Sequence, residues 1–241
     1  LSGDSVDYIY LKKGKKCDFM RYNVASGQWE DLEDAPAGTR AKWDAGTWLV
    51  YNPDENALYA HKGKYHELWR FRLDSLRWDM GANLPGMPYA GHHGGKIKNK
   101  KSKDGGSADF WNGFIYALKG GNTQQFFAYY PSAQAWQELD TIPTNGSTGK
   151  KKRVKQGGDI ATLNQSLYAL KGNKTREFWE YTGLFACAPA RPARRGTMAG
   201  PVRPRVRTDL IPSSNPARGE LLLRYAVAGS GEPGDHRPAR H

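Results

Sequence analysis

The sequence predicts an all-β fold built from four related units of short antiparallel strands. In four segments, a tyrosine is followed four residues later by a glycine; the segments begin at Tyr10, Tyr59, Tyr116 and Tyr168. They start 49, 57 and 52 residues apart, and their aromatic residues recur at matching positions. Aromatic residues make up 12% of the chain and there are 28 glycines, which is typical of a folded protein with many tight turns.

Each unit contains runs of residues that favour strands. The runs "DYIYL", "ALYAH", "FIYALK" and "SLYAL" are aromatic or apolar and end close to a glycine. Upstream of three of them lies a further strand-like run, "GTWLVYN", "GGSADFW" or "GGDIATL". Asn112-Gly113 suits a two-residue hairpin between such strands. An extended piece after each tryptophan ends at Pro36, Pro85 or Pro143 and completes four strands per unit.

The third strand and the segment after it carry a fixed aromatic pattern. The strand begins at Phe19, Leu68, Phe126 or Phe178. Three residues later comes an aromatic: Tyr22, Phe71, Tyr129 or Tyr181. Ten residues after the first position stands Trp29, Trp78 or Trp136, whereas the fourth unit has Ala188. A single unit of this kind cannot bury both of its faces, so we expect the units to pack against one another around an axis.

This pattern resembles kelch repeats, the blades of kelch β-propellers. Gly120 and Gly121 match the glycine doublet of the family, and the other units keep one glycine: Gly14, Gly63 and Gly172. The family tyrosine and tryptophan are matched by the aromatic residues named above, with Phe71 as a substitute. The resemblance covers residues 5–182 and implies kelch-like β-propeller blades in which these residues are structural. Kelch propellers often have six or seven blades, so we expect an incomplete propeller, either a fragment or a chain that closes by partnering.

The composition changes abruptly after the fourth unit. From Gly183 to His241 there is no lysine, while ten arginines and eight of the fourteen prolines of the chain lie there. A frameshift would produce a similar break. We predict propeller blades over 1–182, a disordered low-complexity linker over 183–212, and a separate segment over 213–241.

The final segment has a turn at Asn215-Pro216 and a strand-like run, "ELLLRYAV". It resembles the start of the immunoglobulin-like modules of bacterial type IX secretion sorting and flagellar-hook-capping-like domains. That resemblance implies export to the cell surface or the medium. The alternative is a disordered tail.

Two lysine-rich stretches stand out in a chain of net charge +12. Strand alternation places the loops between second and third strands on the same rim as the links between units. We therefore expect one basic binding face formed by Lys96, Lys98, Lys100, Lys101, Lys103, Lys150, Lys151, Lys152, Arg153 and Lys155. Such a face attracts anionic polysaccharides, cell-envelope polymers or nucleic acid. The absence of interleaved aromatic residues argues against single-stranded nucleic acid.

We expect a non-catalytic binding or scaffold module with no cofactor, no metal and no membrane span. The cysteines, Cys17 and Cys187, form no cluster, and His92-His93 reads as a solvated loop. The glycine loops lack a phosphate-binding motif. Two alternatives are a kelch-type carbohydrate-active enzyme, of the copper oxidase or sialic-acid isomerase class, and an intracellular kelch adaptor that binds another protein.

Overall fold

The computed structural model describes residues 7–82, 84–146, 149–163 and 166–181. Within these ranges the chain forms sixteen strands and no helix, which confirms the predicted all-β class. The predicted linker over 183–212 and the predicted segment over 213–241 lie outside the described residues.

Fourteen of the strands form four antiparallel sheets. Sheet 1 contains β1 (Tyr8–Lys12), β2 (Phe19–Asn23) and β3 (Gln28–Asp31). Sheet 2 contains β4 (Asp44–Asn52), β5 (Ala57–Gly63), β6 (Glu67–Arg72) and β7 (Arg77–Trp78). Sheet 3 contains β10 (Ser107–Trp111), β11 (Phe114–Leu118), β12 (Phe126–Tyr130) and β13 (Ala135–Glu138). Sheet 4 contains β14 (Asp159–Leu163), β15 (Ser166–Leu170) and β16 (Phe178–Tyr181).

Each sheet is a meander in which consecutive strands pair. Sheets 2 and 3 have the four strands predicted for a complete unit. In the described residues, sheet 1 lacks the equivalent of β4 and sheet 4 lacks the equivalent of β13. The described residues thus contain two complete units and two three-stranded ones.

The fourth strand begins earlier than the sequence predicts. It includes the tryptophan itself, because each tryptophan pairs with the aromatic residue of the third strand: Tyr22 with Trp29, Phe71 with Trp78, and Tyr129 with Trp136. Cross-strand aromatic pairs stabilise antiparallel sheets, so the ladder continues at these positions.

A hairpin that the sequence did not predict lies between sheets 2 and 3. It consists of β8 (Ala90–His93) and β9 (Lys96–Asn99). Gly94 and Gly95 have φ values of 62° and 78°, as a type I′ hairpin turn requires. His92-His93 therefore lies in a strand, and the expectation of a loop there is wrong.

The core lies between successive sheets. Three apolar clusters fill the interfaces of sheets 1 and 2, 2 and 3, and 3 and 4. We call the side of a sheet that points toward the next sheet in sequence its forward face, and the other side its backward face. Phe19 on a forward face contacts Phe71 on a backward face with ring centres 4.9 Å apart, and Phe126 contacts Tyr181 in the same way at 5.2 Å. Burial of side chains this large contributes roughly 1.5–3 kcal/mol each.

The turn glycines differ in what they require. Gly120 has a φ of +65°, and a Cβ there would lie 2.3 Å from the backbone nitrogen of Gly106. Gly63 does not have positive φ, but a Cβ would lie 2.3 Å from the carbonyl oxygen of Ala45. Gly14 has neither constraint. Close approach between a loop and a neighbouring segment, as well as positive φ, thus favours glycine at this repeat position.

Candidate functional site: a basic rim

One rim of the protein is formed by the loops between second and third strands and by the links from sheet to sheet. Backbone hydrogen bonds join each loop to the link that passes it. Three such bonds, of 2.8–2.9 Å, run from a loop N–H to a link carbonyl: Lys15 to Trp43, Lys64 to Ser102, and Asn122 to Val154. Loops and links therefore share one rim.

All 19 lysines of the chain lie in the loops and links of this rim or close to the ends of the second strands just beneath it. We call it the basic rim. The described turns of the opposite rim contain neither lysine nor arginine; they are VASG (24–27), PDEN (53–56), LDSL (73–76), NG (112–113) and PSAQ (131–134). The lysines are thus confined to one rim of the described structure.

The ten residues of the predicted binding face form two groups on the basic rim. The first group lies on β9 and the segment after it: Lys96, Lys98, Lys100, Lys101 and Lys103. The second lies on the link between sheets 3 and 4: Lys150, Lys151, Lys152, Arg153 and Lys155. Lys100, Lys152 and Arg153 are half-buried and the other seven are exposed.

The two groups meet at the turn of the β8–β9 hairpin. A nitrogen of the Arg153 guanidinium would lie 3.8 Å from a Cβ at Gly94. Burial, followed by the positive charges of Arg153, Lys100 and Lys98, lowers the pKa of His93. Charges from both lysine-rich stretches therefore act at one point on the surface.

Beneath the basic rim lie three fully buried lysines that sequence reasoning missed: Lys62, Lys119 and Lys171. Each occupies the position before the turn glycine. The Nζ of Lys62 lies 3.5 Å from the Glu67 carboxylate, and Lys171 forms an ion pair with Glu177.

The two carboxylates are themselves held by tryptophans two residues later. The indole N–H of Trp69 donates to Glu67, and that of Trp179 donates to Glu177, both at 3.3 Å. A buried lysine, a carboxylate and a tryptophan therefore form the same arrangement in sheets 2 and 4. Each buried charge is paired and hydrogen-bonded, as a low-dielectric environment requires.

Sheet 3 departs from this arrangement. Gln125 and Phe127 replace the carboxylate and the tryptophan, and in the described part of the chain no carboxylate lies within ion-pair distance of Lys119. The Lys119 ammonium donates to the carbonyl of Tyr89 at 3.0 Å and lies 4.8 Å from the centre of the Phe127 ring. Burial lowers the pKa of Lys119 to about 8, although the Glu138 charge partly opposes the shift.

Polar side chains surround Lys119 between sheets 2 and 3. His61 is buried, with its Nε2 2.6 Å from the Ser102 hydroxyl. Burial, together with the charges of His66 and Lys119, lowers the pKa of His61 to about 3. Nearer the surface, Nδ1 of His92 lies 2.8 Å from the Glu138 carboxylate.

The aromatic residues of the structural repeat lie where sheets meet, except in sheet 1. Phe71, Tyr129 and Trp78 are buried between sheets, and Trp136 and Tyr181 pack against clusters there. Tyr22 and Trp29 contact each other with ring centres 5.1 Å apart, on the backward face of sheet 1.

An aromatic cleft of 610 Å³ lies between sheets 1 and 2. Its lining includes three tyrosines and an arginine, namely Tyr8, Tyr10, Tyr51 and Arg21. The Arg21 guanidinium stacks over the Tyr8 ring at 4.1 Å and pairs with Glu30 at 2.7 Å. Aromatic faces beside a fixed polar group are a common setting for small polar ligands.

Over the described ranges, no group of three or more His, Cys, Asp or Glu side chains is arranged to hold a metal ion. The Cys17 thiol donates a hydrogen bond to the carbonyl of Ala41 at 3.2 Å. No helix long and apolar enough to cross a membrane is found among the described residues.

No protein-family profile matches the sequence, and no curated protein matches it. The fold is similar to the solved structure of YjhT, with a TM-score of 0.51 and 12% sequence identity. The match covers 72% of this chain and 59% of YjhT. The described residues form an incomplete β-propeller. At 12% identity the likeness concerns the fold alone. The four sheets of this chain are the blades of its incomplete propeller.

Proposed function

We propose that the protein is a non-catalytic binding module whose basic rim binds polyanions such as anionic polysaccharides or cell-envelope polymers. One observation carries the proposal: the two lysine-rich stretches meet at the β8–β9 turn, where Arg153 approaches Gly94. The lysine-free turns of the opposite rim support it, because lysines gathered on one rim orient an anionic polymer toward that rim.

A titration of the protein with heparin tests this proposal. Binding is monitored by fluorescence at a series of salt concentrations. A polyanion bound by several lysines releases counterions, so affinity falls steeply as salt rises. Lys150→Ala, Lys151→Ala and Lys152→Ala together are expected to weaken binding and to reduce the slope of log K against log salt by up to about 3.

The matched control is the pair Arg72→Ala and Arg77→Ala, which removes two charges from strand ends beside the opposite rim. This pair is expected to leave the affinity and the salt slope close to those of the unmodified protein. Salt-independent binding, or an equal loss from the control pair, would contradict the proposal.

We further propose that the protein is exported and acts at the cell surface or outside the cell. The C-terminal segment from Asn215 supports this assignment through its resemblance to bacterial sorting modules. Fractionation of the source cells tests it, with recovery in the cytosol alone as the contrary result.

The aromatic cleft favours a second candidate, a carbohydrate-active protein that binds a neutral sugar between sheets 1 and 2. Tyr51 is exposed in the cleft and offers a ring face to a sugar. Titration with neutral oligosaccharides distinguishes the two candidates, because this binding would be insensitive to salt and would be lost in Tyr51→Ala.

A further inference from the structure

The two end sheets each leave one apolar face open among the described residues. The forward face of sheet 4 and the backward face of sheet 1 contact no other described sheet. Both carry exposed large apolar side chains: Leu163, Leu170 and Phe178 on sheet 4, and Ile9, Leu11 and Trp29 on sheet 1. Contiguous patches of this kind mark interaction surfaces on proteins.

The open forward face repeats the chemistry of the faces that are buried inside the protein. Phe178 begins the third strand of sheet 4 and is 42% exposed. The equivalent residues of the other sheets are 1–3% exposed: Phe19, Leu68 and Phe126. Tyr168 stacks on Phe178 with ring centres 5.2 Å apart, which prepares an aromatic surface for a partner.

The open backward face of sheet 1 also exposes residues whose equivalents in other sheets are buried. Trp29 is 54% exposed, whereas its equivalent in sheet 2, Trp78, is 4% exposed. Ile9 is 57% exposed, whereas its equivalents are buried: Leu58, Ile115 and Leu167. Tyr22 lies beside Trp29 at the position that Phe71 and Tyr129 occupy in the interior.

Each internal interface joins a forward face to a backward face. In the interface of sheets 1 and 2, Phe19 contacts both Phe71 and Trp78, with ring centres 4.9 and 5.2 Å apart. We propose that the protein associates head to tail with a second copy of itself, the forward face of sheet 4 packing on the backward face of sheet 1 of the other copy. Phe178 of one copy then contacts Tyr22 and Trp29 of the other, as Phe19 contacts Phe71 and Trp78 within the chain.

This association is heterologous, because the two surfaces that meet are different. It closes into a ring when the rotation between copies allows it and otherwise extends as a chain of copies. In either case the partner is a second copy because the two open faces carry the same residue classes that already pack together three times within the chain.

Two charge substitutions test the proposal in the full chain, Trp29→Arg and Phe178→Lys. Sedimentation velocity up to high micromolar concentration is expected to show the unmodified protein at twice the monomer mass or more, and each variant alone as a monomer. An equimolar mixture of the two variants retains one intact face on each partner. Dimers are therefore expected to return in the mixture and in neither variant alone.

Met80→Lys is the control, because Met80 is 65% exposed and lies in the segment after β7, away from both open faces. It is expected to assemble like the unmodified protein, and circular dichroism should show that all variants remain folded. If the unmodified protein stays monomeric, the proposal is wrong, and the two open faces are covered by other segments of the chain. A mixture that stays monomeric overturns the head-to-tail arrangement.

Discussion

The Nζ of Lys62 and the carboxylate of Glu67 lie 3.5 Å apart beneath the basic rim, and Lys171 and Glu177 repeat this ion pair two sheets later. In sheet 3 the same positions hold Lys119 and Gln125. The Gln125 side chain is fully buried, and neither its amide nitrogen nor its amide oxygen has a hydrogen-bond partner among the described residues. One sheet thus retains the buried lysine and lacks the group that neutralises it.

Restoring the carboxylate should stabilise sheet 3. Gln125→Glu places an acid where Glu67 and Glu177 stand, so we expect the pKa of Lys119 to rise and the free energy of unfolding to increase at pH 7. Urea unfolding at pH 7 and pH 10 checks this. In the unmodified protein, stability should rise with pH above about 8, because the unfolded chain then binds the proton that folded Lys119 has lost. The variant should lose that rise, and an unchanged pH dependence would contradict the assignment.

Removing the lysines should have opposite consequences in different sheets. Lys171→Met leaves Glu177 buried without its partner, which is expected to destabilise the protein by about 3–5 kcal/mol. Lys119→Met removes an unpaired buried charge, so its effect should be neutral or stabilising. Thermal unfolding of the two variants side by side gives the comparison. A similar loss in both would mean that the two lysines have equivalent surroundings.

Acid should destabilise the protein through His61. Burial holds its pKa near 3, whereas the unfolded side chain titrates near 6.5, so the unfolded state takes up a proton first as the pH falls. The free energy of unfolding is therefore expected to decline between about pH 6.5 and pH 3, by up to about 1.4 kcal/mol per pH unit. His61→Gln should make this decline smaller, and the remainder is expected from His66, whose pKa burial lowers to about 4. An unchanged decline in His61→Gln would contradict the assignment.

The turn glycines should differ in their tolerance of alanine. Gly120→Ala combines positive φ with a Cβ placed 2.3 Å from a backbone nitrogen, and we expect a loss of about 2 kcal/mol or more. Gly14→Ala meets nothing within 4 Å and should leave stability unchanged or raise it by about 0.5 kcal/mol. Urea denaturation of both variants measures the difference, and equal effects would contradict the contacts described for Gly120.

The sheets could be predicted from the sequence because aromatic residues recur at fixed separations in each unit. Phe71 and Trp78 stand at the same separation as Tyr129 and Trp136, and both pairs lie at interfaces between sheets. Large side chains that recur at a fixed period indicate where successive units pack against one another. The loops and links fell on one rim because strand direction alternates.

The buried lysines were not predicted because lysine is seldom fully buried. The repeat nevertheless carried a signal, since a lysine precedes the turn glycine in every unit. An acid or amide also stands directly before the first apolar residue of the third strand: Asp18, Glu67, Gln125 and Glu177. The β8–β9 hairpin was also not predicted, because its sequence lacks the usual strand signals. Its strands are polar, and only Gly94-Gly95 marks its turn.

The lysine-free turns should determine the orientation of the protein on an anionic surface. All of the lysines lie at one end of the axis of the described structure, so lysine charge is distributed unevenly along that axis. Adsorbed on an anionic support, it should stand with the turns at 24–27 and 131–134 facing the solvent. A fluorophore or an affinity tag inserted at 131–134 would therefore remain accessible in the adsorbed state, while one inserted at 150–152 would face the support.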